Sequence, residues 1–219
     1  MTSSWRNLPS TPSLEQLAAV NELLQSIGQA PVSTLDTSNP DVSIAWNTLV
    51  STSRNVQAEG WTFNTEYHVT TARSTSPATK DMILVSVNEL QVDLVRNTQN
   101  MYHDAVLRET AAGQRFLYDR EQHSSTWDYD PLVNKIFYFD WEVIPIPIAN
   151  YIVARAAKIF SSRVTGDNAQ YRMLEEREQY CRNQAMEYET KQGDYSYFGM
   201  DAHDSGYIPY IPAQSLRRF

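Results

Sequence analysis

The chain has 219 residues, 42% of them hydrophobic, and a formal net charge of −8, with a mean hydropathy of −0.48. That length supports one full core or a core plus an appended module, while the excess of acid excludes a general nucleic-acid-binding surface, which needs clustered Lys and Arg. A single cysteine, Cys181, excludes an intramolecular disulfide and leaves a structural zinc site without a second thiolate.

No apolar leader follows Met1, and no stretch approaches the ~20 apolar residues of a membrane span, so the expectation is a soluble protein made inside a cell. The first helix follows Thr11-Pro12. Ser13 and Gln16 have capping-box spacing, Leu14, Leu17, Leu24 and Ile27 recur at helical period, and Gly28 supplies the stop. A second helix starts at Asn39-Pro40-Asp41 and runs through Trp46, Leu49, Val50 and Val56 to Gly60. The loop between them, 29–38, is short enough for an antiparallel hairpin.

From Trp61 the period changes. Trp61, Phe63, Tyr67 and Val69 stand out in a strand-like stretch, and β-like runs follow at MILVSV (82–87), QVDLVR, YHDAVLRE, RFLYD and KIFYFDWE, with turns around Pro77 and before Gln114. These runs predict an antiparallel β module inserted between helices. Helix returns after Pro145 and Pro147, with Ile148, Ile152, Ala156 and Ile159 buried and Gly166 as the stop. Asp167 then caps a fourth helix, with Gln170 at capping-box spacing. Tyr171, Leu174, Cys181, Ala185 and Tyr188 should face inward, and Glu175, Glu176, Arg177, Glu178 and Arg182 should face water.

The expected class is α+β: a four-helix bundle with an inserted antiparallel β module and an extended C-terminal tail. Its parts are 1–60, a first helix hairpin; 61–144, the β module; 145–193, a second hairpin; and 194–219, a docking tail. The tail resists regular assignment. Disordered termini tend to lack aromatics, yet this one is rich in tyrosine. Tyr207, Ile208, Tyr210 and Ile211, spaced around Pro209 and Pro212, suit an extended segment laid on a partner's surface, and Arg217, Arg218 and Phe219 end it with basic charge.

Catalytic signatures are sparse. G-x-S-x-G and the phosphate-binding G-x-x-x-x-G-K-[ST] do not occur, and His68, His103, His123 and His203 form no i, i+4 pair, which favours surface or strand histidines over metal ligands. No cofactor is expected. Cys181 reads as core filling. Two carboxylates could hydrolyse a glycosidic bond, and the candidate pairs are Asp128 with Asp130, Asp140 with Glu142, and Glu175 with Glu176 or Glu178. WDYDP (127–131) could line a sugar site, although the favoured reading is a turn whose aspartates cap backbone groups.

VNELLQSIGQAPVSTL (20–35), followed by the helix ending AEGWTFN (58–64), resembles the start of tail tubular protein A, the adaptor or gatekeeper family of short-tailed bacteriophages. EEREQYCRNQAMEYE (175–189) is similar to that family's acidic final helix, and YIVARAAKIFSSR (151–163) to the helix before it. The resemblance implies a structural, non-enzymatic virion protein of the tail, assembled in the host cytoplasm as a dodecameric ring. The portal would lie above it and the nozzle, tail tubular protein B, below. Tail fibres would dock at the junction, and double-stranded DNA would pass through without specific binding or membrane insertion. It also implies that the tail, with Tyr207, Ile208, Tyr210, Ile211, Arg217, Arg218 and Phe219, docks on the portal. Glu175, Glu176 and Glu178 are candidates to line the channel. The alternative is a tail-associated hydrolase of host surface polysaccharide.

Overall fold

The computed structural model describes residues 13–36, 38–95, 100 and 102–193. Their elements are α1 (Leu14–Gln25), α2 (Pro40–Gln57), β1 (Thr65–Thr70), β2 (Glu89–Leu94), β3 (Ala105–Glu109), β4 (Arg115–Asp119), β5 (Leu132–Phe137), α3 (Ile146–Val164) and α4 (Asn168–Gly193). The class is mixed helix and antiparallel sheet, that is α+β. The described residues fall into two compact units. A helical unit takes the chain up to Glu59 and again over Phe139–Glu189, and a β unit takes Gly60–Tyr138, together with the chain from Thr190.

Helix boundaries follow local chemistry. At α1, Ser13 accepts from the Gln16 N–H while the Gln16 side chain accepts from the Ser13 N–H, a closed capping box. Gly28, at φ 78°, lets the chain turn out of the helix, and Asn21 then fixes the loop by exchanging two hydrogen bonds with Val32, at 2.7 and 2.9 Å. At α2, the Asn39 side chain accepts from the Asp41 N–H and Pro40 occupies the first turn. Leu14 departs from the expected stripe: it is 85% exposed, because α1 buries Ala19, Val20, Leu23 and Leu24 instead. A fourth-helix capping box does not close either. Asp167 accepts from the Ala169 N–H, but the Gln170 amide reaches the Ser26 carbonyl of α1.

Within the helical unit, α2 packs on α3, and α1 touches both. The Gln57 side chain donates to the Phe139 carbonyl at 3.1 Å and accepts from its N–H at 2.8 Å, while Arg163 reaches the buried Thr48 at 3.3 Å. The end of α2 thus meets the start of the α3 segment and the two helices run antiparallel. The core between them holds Leu49, Val56, Tyr151, Ile152 and Phe160.

In the β unit, β1, β5 and β2 form one antiparallel sheet in that order, and β3 with β4 forms a hairpin. Ile83, Val85, Val92, Leu117, Trp127 and Val133 make its core. Two expectations change here. The strand expected from Trp61 begins only at Thr65, because the Asn64 side chain accepts from the Trp61 N–H at 2.8 Å and closes a turn. The run 82–87 is not a strand. Met82 and Leu84 form isolated bridges, to Thr126 and Phe116, and Asp81 at φ 60° bends the backbone just before them. Ile83 and Val85 are nonetheless buried. Apolar sequence there reports burial rather than a ladder.

Candidate functional site

A cavity of about 490 Å³ opens in the β unit, lined by Arg73, Asp81, His103, Asp119, Gln122, Ser124, Thr126, Trp127 and Asp128. Its residues come from three places: the turn after β1, the two sides of the β3–β4 hairpin, and the WDYDP stretch. Trp127 forms a fixed wall. Its backbone N–H donates to the Asp81 carbonyl at 2.8 Å and its indole N–H to the Leu117 carbonyl at 3.1 Å, so both ends of the residue are held.

Asp119 anchors the opposite wall. Its side chain is 3% exposed and that of His103 11%. The carboxylate accepts from His103 Nδ1 at 2.5 Å and from the backbone N–H groups of Asp104, Glu121 and Gln122. Burial by itself would raise the Asp119 pKa, but these four donors outweigh it and hold the group below the ordinary carboxylate value. An ionised carboxylate can only accept, so Nδ1 of His103 carries the proton in this bond. The imidazole is wedged between Trp127, at 5.7 Å between ring centres, and Tyr129, at 5.3 Å. Burial and the nearby charges of Asp119 and Asp128 push the Tyr129 hydroxyl up to about 12. Three aspartates, Asp81, Asp119 and Asp128, line the cavity together with Arg73.

The two WDYDP aspartates have different surroundings. Asp130 accepts from both the Nε and the backbone N–H of Arg73, at 3.0 and 3.1 Å, and these bonds hold its pKa low. Asp130 therefore ties its stretch to the segment after β1 rather than capping neighbouring backbone groups, and Asp128 is an exposed residue on the cavity rim. Among the described histidines, His68 sits at a bulge in β1 with φ 56°, its N–H bonded to Asn134, and His123 lies in the turn after β4.

The acidic helix face behaves less uniformly than its sequence. Glu176 is exposed. Glu175 lies 4.0 Å from Lys158, while Glu178, only 13% exposed at its side chain, pairs with Lys158 and approaches Arg155 Nε at 3.9 Å. Glu178 was expected to face water; instead it is turned onto α3, because two cations on that helix stand opposite it. Burial works against the Lys158 charge, but the hydrogen bond and charge of Glu178 outweigh it and leave the pKa raised. Arg155 also bonds Glu59 at 2.8 Å, and Arg177 bonds Glu22 of α1. Cys181 is buried, and burial pushes its thiol up, the behaviour of an inert core thiol. Tyr207, Ile208, Tyr210, Ile211, Arg217, Arg218 and Phe219 lie outside the described residues.

No helix among the described residues is long and apolar enough to cross a membrane. A search of curated proteins returns no match. The family profile described as Tube, tail tubular protein, matches residues 17–195, from the first turn of α1 to just past α4. The chain belongs to the tail tubular protein family and is a structural component of the bacteriophage tail.

Proposed function

We propose that the protein is the head-to-tail adaptor of a short-tailed phage virion. Copies assemble in the host cytoplasm into a ring, twelve to a turn, between the portal above and the nozzle protein below, and DNA leaves the head through its centre. Tail fibres dock near the junction with the nozzle. The observation that carries this reading is the family match across residues 17–195, which takes in most of α1, all of α2, α3 and α4, and all five strands.

Further support comes from how the helices are tied. α2 and α3 are antiparallel, and α4 is fastened to α1 through Gln170 and Arg177 and to α3 through Glu178. These ties suit an up-down-up-down four-helix bundle with the β unit inserted between its second and third helices. Glu175, Glu176 and Glu178 are the acids we assign to the channel; Glu176 is exposed, and Glu178 also pairs with Lys158 of α3. The net charge of −8 suits a passage that DNA slides through, since like charge keeps it from sticking. The segment 194–219, with Tyr207, Ile208, Tyr210, Ile211, Arg217, Arg218 and Phe219, reaches the portal.

Negative-stain imaging of the purified protein mixed with portal tests this directly. Rings stacked coaxially on portal are expected, and removal of 194–219 should leave the protein folded but undocked. A truncated protein that still caps the portal would remove the tail from the interface. Only monomers, with and without portal, would overturn the adaptor reading.

A further inference from the structure

We draw no further inference here: the strongest candidate, the exposed apolar patch at the end of the helical unit where Leu14 of α1 stands with Val143 and Ile146 at the entry to α3, carries nothing because nothing in the structure shows what covers it.

Discussion

Asp119 organises more of the β unit than any neighbour, and its behaviour with pH is predictable in sign. Its pKa is lowered from 3.8 in the folded chain, so the stability it contributes is present above that value and is lost as pH falls through the folded pKa. Replacing it by Asn keeps the shape but removes the charge that four N–H groups converge on. Asp119→Asn should lower stability at pH 7 by about 1–3 kcal/mol. The gap from wild type should close as the pH drops below 3.8. Urea melts at neutral and acid pH measure both numbers, and a gap that is constant with pH would mean that charge is not what Asp119 supplies. None of this was legible in the sequence. RFLYD announced a strand, and nothing marked its last residue as the partner of a histidine 16 positions earlier. Asp130 read as a local turn cap, since Asx chemistry is local; its donor is instead Arg73, 57 positions away, and the sequence carries no sign of that.

At the scale of elements, local signals and tertiary ones separate cleanly. Starts and stops of helices are written in neighbouring residues, so Ser13, Asn39 and Gly28 marked their positions correctly. The face a helix buries depends on partners that sequence does not display, which is why Leu14 is exposed and Glu178 is not. Cross-strand partners are equally hidden. Glu89 on β2 and Lys135 on β5 form a buried ion pair at 3.0 Å, and the second carboxylate oxygen of Glu89 has no hydrogen-bond partner. Breaking such a pair leaves one charge buried alone, whereas replacing both partners by apolar groups removes the desolvation cost of each. Lys135→Met should therefore destabilise by about 3–5 kcal/mol, and adding Glu89→Leu should recover most of the loss. A double-mutant cycle by chemical denaturation gives the coupling. Additive losses would show the pair to be independent side chains at the sheet surface.

Across the whole molecule, the question is how a β unit can be inserted into a helical one without disturbing it. The chain leaves the helices after α2 and returns at Phe139, and the buried Gln57 amide bonds both the N–H and the carbonyl of Phe139. On the β side, Asn64 donates to the Phe137 carbonyl and its own carbonyl accepts the Phe137 N–H, both at 2.8 Å. Each unit thus closes its own ends with one side-chain amide, and sequence alone shows neither clamp, since an Asn and a Gln carry no mark of a partner more than 70 positions away. If the helical unit holds its ends together by itself, the insertion can be cut out. Replacing residues 60–138 by a short Gly/Ser linker should leave a chain with helical circular dichroism and a cooperative melt, because the linker closes a gap that Gln57 already spans and a short loop costs little entropy. Gln57→Ala in that shortened chain should then cost about 1–3 kcal/mol, by leaving the Phe139 groups unpaired, and lower its melting temperature by roughly 4–8 °C per kcal/mol. A shortened chain that never folds would show that the helices depend on the β unit. A shortened chain that folds but is indifferent to Gln57 would place the closure in packing between α2 and α3 rather than in the clamp.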